Sequence, residues 1–71
     1  MTSPLTEKQE RLLVLFKKAV EGERNAQKLY TEMLCNCEDP DLKLIIEGLR
    51  VAEQKHEETL VNKYKALRSI D

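Results

Sequence analysis

The chain has few aromatic residues and no long apolar run. Aromatic residues make up 4% of its 71 residues, and Trp is absent. With no basic stripe and no aromatics beside one, the sequence does not indicate a nucleic-acid binder. No apolar stretch approaches the roughly 20 residues that span a bilayer, and residues 1–10 lack the pattern of a signal peptide. We therefore expect a cytoplasmic protein without nucleic-acid or membrane partners.

Cysteine is also scarce, and its placement excludes a disulfide framework. The two thiols, Cys35 and Cys37, are two residues apart. Side chains at this spacing point in different directions on a helix, so they do not chelate one metal ion. We interpret them as a core thiol and a surface thiol near a helix end. An intermolecular disulfide or a redox role is the alternative.

The charged residues, 35% of the chain, are mixed in sign and leave a net charge of -1. A chain of this length forms one small domain, which we assign to residues 1–71. Natural domains of this size rely on disulfides, a metal or oligomerisation for stability. Since a disulfide framework is excluded, a metal or a second copy remains.

The first helix is predicted over about residues 6–36. Thr6 followed by Gln9 fits a capping box, and Glu7 and Glu10 suit the positive end of the helix dipole. Apolar side chains then recur at steps of four and three, which is typical of one face of a helix in a bundle. That face comprises Leu12, Phe16, Ala19, Glu23, Ala26, Tyr30, Met33 and Cys37.

The second helix is predicted over about residues 41–68, after a turn at about 37–40. Asp39 suits the N-cap, and Pro40 suits the first helical position because its missing N–H costs nothing there. The predicted core face comprises Leu42, Ile45, Leu49, Ala52, His56, Thr59, Lys63 and Ala66. A neighbouring row widens it with Ile46, Glu53, Leu60 and Leu67.

A short turn between two long helices predicts an all-α antiparallel hairpin. A lone hairpin leaves one side of each apolar stripe in water, so we expect two copies to form a four-helix bundle. Gly22 and Gly48 interrupt the helices, where each costs about 1 kcal/mol relative to Ala. A close helix–helix approach explains them, and so does ordinary packing.

Three polar residues interrupt the apolar stripes. Glu23 lies within the stripe of helix 1, and Glu53 and His56 project from one turn of helix 2. Carboxylates in a bundle core are costly unless they are paired, protonated or bound to metal. Carboxylate oxygens and imidazole together suit divalent iron, manganese or zinc. The alternatives are a partly exposed Glu53, a hydrogen-bonded core histidine, and Glu23 at the edge of a wide stripe.

The stoichiometry favours the metal interpretation. His56 is the only histidine of the chain, so two copies are needed for four carboxylates and two imidazoles. That is the ligand set of the di-iron carboxylate bundles. Glu23 and Glu53 are also equally far along the chain from residue 38, within the predicted turn. Antiparallel packing therefore places both carboxylates at one height.

Two segments resemble the signatures of rubrerythrin and other ferritin-like proteins. GERNAQKLY, residues 22–30, is similar to their first-helix signature, and LRVAEQKH, residues 49–56, to their Glu-x-x-His signature. The two-helix length looks most like the encapsulated ferritins, which build a di-iron site between subunits. The resemblance implies a ferritin-like four-helix bundle with Glu23, Glu53 and His56 as iron ligands and catalytic residues. It also implies Tyr30 as a hydroxyl near the site, although an interfacial core tyrosine explains that residue equally well.

The expected function is therefore ferroxidase activity in iron storage or detoxification, with two iron ions per dimer. Manganese or zinc could replace iron. The expected partners are a second copy, a ring of dimers and an encapsulin shell, whose interior is an alternative to the open cytoplasm. Two other functions remain open: rubrerythrin-like scavenging of peroxide or oxygen, and a metal-free dimeric helical module with polar core residues that fix register.

Overall fold

The computed structural model describes residues 5–69, which form two α-helices and no strand. Helix α1 spans Glu7–Cys35 and helix α2 spans Pro40–Arg68. The connection over 36–39 reverses the chain, and the helices pack against each other as a hairpin. The predicted all-helical class is confirmed. The ends of the predicted domain, residues 1–4, 70 and 71, and the start of the segment tested for a signal peptide lie outside the described residues.

The predicted capping box at the start of α1 is present. The Thr6 hydroxyl accepts a hydrogen bond from the Gln9 N–H at 3.1 Å, and the Gln9 side chain accepts one from the Thr6 N–H at 2.8 Å. Two N–H groups that have no partner within a helix are thereby satisfied. At the other end, the Asn36 N–H donates to the Met33 carbonyl at 3.1 Å.

Helix α2 begins as its sequence predicts. The Asp39 carboxylate accepts a hydrogen bond from the Asp41 N–H at 3.0 Å, and Pro40 is the first residue of the helix. Lys65 and Arg68 lie in the last turn, at the negative end of the helix dipole. All four helix ends lie within one residue of the predicted positions.

The contact between the helices follows one row of each helix. Within residues 5–69, Val20 and Ile46 are the buried side chains, with 9% and 3% exposure. Both belong to rows with steps of three and four, whose other members are half-buried. The row of α1 is Leu13, Phe16, Val20, Glu23, Gln27, Tyr30 and Leu34; the row of α2 is Ile46, Arg50, Glu53, Glu57, Leu60, Tyr64 and Leu67.

The structure corrects the predicted core face of each helix. On α1, Leu12, Ala19 and Met33 are exposed. Cys37 lies beyond the end of the helix at Cys35.

The predicted core face of α2 is wrong as well. Leu42, Ile45, Leu49 and His56 are exposed, and the packed row is the neighbouring row that begins at Ile46. Where two helices pack side by side, each one buries only about one row of its side chains. The apolar stripe of α2 is wider than one row, so part of it stays uncovered.

The uncovered stripes of both helices form a surface that we name the apolar face. By helical periodicity its large residues lie on one side of the hairpin, and each exposes between 40% and 61% of its surface. These residues are Leu12, Leu15, Leu29, Met33, Leu42, Ile45 and Leu49. The expectation that a lone hairpin leaves apolar side chains in water is confirmed.

The hairpin is a rod rather than a globule. It measures 59 × 14 × 13 Å, and its radius of gyration is 16.6 Å. A compact domain of this length would have a radius of about 11 Å. Neither helix of the described chain is long and apolar enough to cross a bilayer.

Candidate metal centre

Glu23, Glu53 and His56 come together near the middle of the hairpin. Each offers one ligand atom, and the three atoms all lie within 4.8 Å of one another. Glu23 comes from α1, whereas Glu53 and His56 come from one turn of α2. The equal chain distances from the turn place the two carboxylates at the same height. The structure thus brings together all three predicted ligand residues.

The distances suit a divalent cation between these side chains. His56 Nδ1 lies 3.2 Å from Glu53 Oε1 and 3.7 Å from Glu23 Oε2. Imidazole and carboxylate ligands sit about 2.1 Å from a divalent metal, so two ligands of one ion are at most about 4.2 Å apart. Both His56 distances are within this limit. The distances among the three ligand atoms extend up to 4.8 Å. This is slightly longer than the ligand–ligand limit, and a small side-chain rotation removes the difference.

Glu23 Oε2 is the clearest sign that the cluster fits a cation. Within the described residues this atom is shielded from solvent and has no hydrogen-bond partner, although the side chain as a whole keeps 22% exposure. A shielded carboxylate oxygen without a partner is costly. A cation coordinated by this oxygen would remove that cost, so the residues present fit a metal ion.

The charge of the Glu23 carboxylate is disfavoured by its surroundings. A hydrogen bond with Glu53 is the main cause that raises the pKa of Glu23, followed by partial desolvation and repulsion from Glu53. His56 acts in the opposite direction, chiefly by electrostatic attraction. A divalent cation beside Glu23 would favour the charged carboxylate.

The cluster is open on the side of the apolar face. The His56 side chain is 59% exposed, whereas Glu23 and Glu53 are 22% and 24% exposed. One chain therefore supplies three ligand residues on one side of a prospective ion and leaves the opposite side to solvent. Other ligands have to come from water, substrate or another chain.

No protein-family model, curated protein or solved structure matches this chain. The resemblance to ferritin-like proteins therefore stays a prediction.

Tyr30 lies on the packed row of α1, two turns beyond Glu23. Seven residues correspond to about 10 Å along the helix axis. Tyr30 is half-buried. Its role near the site stays a prediction, as does the interpretation as an interfacial tyrosine.

A polar network beside the site was missed from the sequence. Glu57 Oε2 accepts a hydrogen bond from Arg24 Nε at 2.7 Å, and Glu57 Oε1 accepts one from Gln27 Nε2 at 2.7 Å. The Arg24 and Gln27 donors lower the pKa of Glu57. This network lies on the side of the hairpin opposite the apolar face. The four-residue step from Glu53 to Glu57 places both carboxylates on the packed row and could have indicated the network.

The thiols take no part in the cluster. Cys35 is exposed and Cys37 is partly exposed, and both are free within the described chain. Cys37 Sγ donates to the Asp39 carbonyl at 3.5 Å, a weak contact within the turn.

Proposed function

We propose that the chain is half of a di-iron ferroxidase, in which two copies complete a site with Glu23, Glu53 and His56 of each. The observation that supports this most directly is the set of three ligand atoms within 4.8 Å, open toward an exposed apolar face. Two copies would supply four carboxylates and two imidazoles. Four carboxylates neutralise two divalent ions, which is the charge balance of di-iron carboxylate bundles.

The reaction oxidises ferrous iron, which is the substrate. Two Fe²⁺ ions lose one electron each, and one O₂ gains two electrons and two protons to give H₂O₂. Bound iron supplies this redox chemistry. The carboxylates of Glu23 and Glu53 bind the cations and offset the added positive charge of the ferric products, while His56 Nδ1 contributes a neutral ligand. Apolar side chains of the second copy would exclude bulk water.

Iron storage requires a destination for the ferric product. The hairpin has no cavity that could hold mineral within its described residues, since it is only 14 Å across. A ring of dimers inside an encapsulin shell is the proposed store. The resemblance to encapsulated ferritins supports this part of the proposal.

Anaerobic titration with Fe²⁺ followed by air tests the function. We expect binding to saturate at one iron per chain and a near-ultraviolet absorbance to rise on oxidation. Glu53→Gln should abolish the rise, whereas Glu58→Gln, an exposed neighbour on the same helix, should behave like the parent. No absorbance rise in the parent, or an unchanged Glu53→Gln protein, would refute the ferroxidase proposal. Faster turnover with peroxide than with O₂ would favour scavenging instead.

A metal-free helical module is the second candidate. It is favoured by the 3.2 Å contact between His56 Nδ1 and Glu53 Oε1, which gives the imidazole a partner without any ion. In this function the polar cluster fixes the alignment of the helices. Elemental analysis of the purified protein distinguishes the two: a metal-free module contains far less than one iron, manganese or zinc per chain.

A further inference from the structure

We infer that the apolar face docks on the same face of a second copy in antiparallel orientation, with the two α1 helices closest at Gly22. The inference deepens the proposed function, because this arrangement would bring the two half sites together. It rests on three features of the chain that do not involve metal: the order of side-chain sizes on α1, the surroundings of Gly22, and the separation of charge along the hairpin.

The exposed stripe of α1 is nearly symmetric in side-chain size about Gly22. Leu15 and Leu29 are each seven residues from Gly22, and small residues lie between them. The order along the stripe is Leu12, Leu15, Ala19, Gly22, Ala26, Leu29 and Met33. A twofold axis at Gly22 places Leu15 against the partner's Leu29 and leaves the small residues at the centre. Two identical helices can then approach closely at the centre while the large side chains pack on either side.

The hairpin itself does not require a glycine at residue 22. A Cβ atom built there meets nothing within 4 Å. Glycine in a helix interior is nevertheless disfavoured relative to alanine. Close approach of another backbone is the usual reason for a glycine at such a position. No part of the described chain makes that approach, whereas the inferred partner does.

Charge is separated along the rod. Between residues 31 and 42, at the turn, every charged side chain is acidic: Glu32, Glu38, Asp39 and Asp41. The open end, taken as residues 5–18 and 61–69, carries seven basic side chains against two acidic ones. The basic residues are Lys8, Arg11, Lys17, Lys18, Lys63, Lys65 and Arg68.

This charge separation favours an antiparallel orientation and a second copy of the chain as the partner. In an antiparallel pair, each acidic turn lies beside the basic open end of the partner. In a parallel pair, like charges lie together at both ends, which is unfavourable. A second copy of the chain carries the matching stripe and the matching charges. The stripe of α2 is less symmetric, with Leu42, Ile45 and Leu49 toward the turn but Thr59 and Lys63 toward the open end, so α1 determines the alignment.

The position of the axis has a consequence for the candidate metal centre. Gly22 precedes Glu23, and Glu23 lies level with Glu53 on α2. An axis at Gly22 therefore brings both copies of the Glu23, Glu53 and His56 cluster to the same height. An axis elsewhere on the stripe would separate the two clusters along the rod.

Disulfide trapping tests the arrangement in metal-free protein. All chains carry Cys35→Ser and Cys37→Ser, and one chain also carries Leu15→Cys while another carries Leu29→Cys and an affinity tag. Under mild oxidation with chelator present, we expect the mixture to cross-link and either chain alone to remain uncross-linked. Two copies of residue 15 would be 14 residues apart, about 21 Å along the axis, and a disulfide spans no more than about 7 Å between Cα atoms.

The alternative outcomes are distinct. Cross-linking of the Leu15→Cys chain with itself would show a parallel pair and overturn the inference. No cross-link in any combination, together with a monomer in sedimentation, would overturn it as well. Specific cross-linking of the mixture in a protein that binds no iron would leave the inference standing and refute the proposed function.

Substitution of Gly22 tests the closest contact. Gly22→Leu should weaken the dimer at least tenfold, since a large side chain at the centre holds the helices apart. Lys28→Leu introduces the same side chain on an exposed position outside the apolar face and should leave the dimer unchanged. Circular dichroism checks that both variants remain helical. A Gly22→Leu dimer as tight as the Lys28→Leu dimer would overturn the contact at Gly22.

Discussion

At the scale of single residues, Glu23 is expected to affect stability and metal binding in opposite directions. Its pKa is raised chiefly by Glu53, so the metal-free fold loses stability as pH rises through that pKa. Glu23→Gln removes the charge. We expect a higher melting temperature in chelator at pH 7. Because Glu23 is a proposed ligand, the loss of metal affinity should be at least the roughly tenfold that loss of an outer-shell partner causes.

Paired thermal melts, with chelator and with Co²⁺ as a spectroscopic probe, measure both effects. Glu21→Gln is the matched control, because Glu21 is exposed and lies two residues from Glu23. It should change neither the melting temperature in chelator nor the Co²⁺ spectrum. A Glu23→Gln protein that is less stable than the parent in chelator would show that Glu23 stabilises the metal-free hairpin.

The Arg24–Glu57 pair predicts how the chain responds to acid. Arg24 is the main cause that lowers the pKa of Glu57, and Gln27 is the second. The stability that this pair contributes is present above the unfolded-state pKa and is lost as pH falls through the lowered folded-state pKa. Arg24→Gln should therefore shift the acid unfolding midpoint to higher pH. The shift is small because Arg24 is largely exposed and solvent screens the pair.

Helical circular dichroism against pH measures that shift. Lys28→Gln removes an exposed positive charge one turn further along α1 and serves as the control for net charge. If Arg24→Gln and Lys28→Gln shift the midpoint equally, the effect comes from overall charge and not from the hydrogen bonds to Glu57.

At the scale of secondary-structure elements, the cap of α2 contributes to the stability of the hairpin. Asp39→Ala removes the acceptor of the 3.0 Å hydrogen bond from the Asp41 N–H. We expect a loss of about 1 kcal/mol in the free energy of unfolding, measured by urea denaturation at fixed protein concentration. Glu38→Ala, the preceding turn residue, is the control. Equal losses in both variants would indicate that turn charge, and not capping, is responsible.

The elements also show what the sequence could predict. Helix caps depend on residues no more than four positions from the helix end. Four residues were therefore sufficient to predict where the two helices begin: Thr6, Gln9, Asp39 and Pro40. The common height of Glu23 and Glu53 followed from the turn position. The packed row of α2 was assigned wrongly because its stripe is wider than one contact row. Which row packs depends on α1, and Arg50 and Glu57 lie on that row although their charges favour solvent.

The candidate site was predictable to a similar extent. Steps of three and four placed Glu53 and His56 together, and the antiparallel turn added Glu23. The exposure of His56 was not predictable, since it depends on the row that packs. The Arg24–Glu57 contact crosses between helices. The step of four residues from Glu53 placed Glu57 on the same row, but no local pattern marked Arg24 as its partner.

At the scale of the whole molecule, metal binding and association should be linked. If two copies share the ions, chelation removes ligands that join them and the dimer should dissociate more readily. Sedimentation across a concentration series, with Co²⁺ and with chelator, measures the difference. In His56→Ala the two curves should coincide, because this variant lacks the only imidazole of the chain. A parent dimer of equal affinity under both conditions would mean that the site is not shared.

The charge separation along the rod predicts a salt effect on the same dimer. Screening shortens the reach of charges from about 10 Å at 0.1 M salt to about 3 Å at 1 M. If acidic turns lie beside basic ends, dimer affinity in chelator should fall as NaCl increases. A parallel dimer would respond in the opposite direction, because screening would relieve repulsion at both ends.

The small number of buried side chains within the hairpin has a consequence for the protein in the cell. With Val20 and Ile46 as the buried residues of the described chain, a single copy has little to hold its helices together. If the helices are held together by the proposed second copy, folding is a second-order process, and the folded fraction depends on how much protein is present. At low synthesis rates we expect newly made chains to be degraded before they meet, so the protein would accumulate only above a threshold of expression.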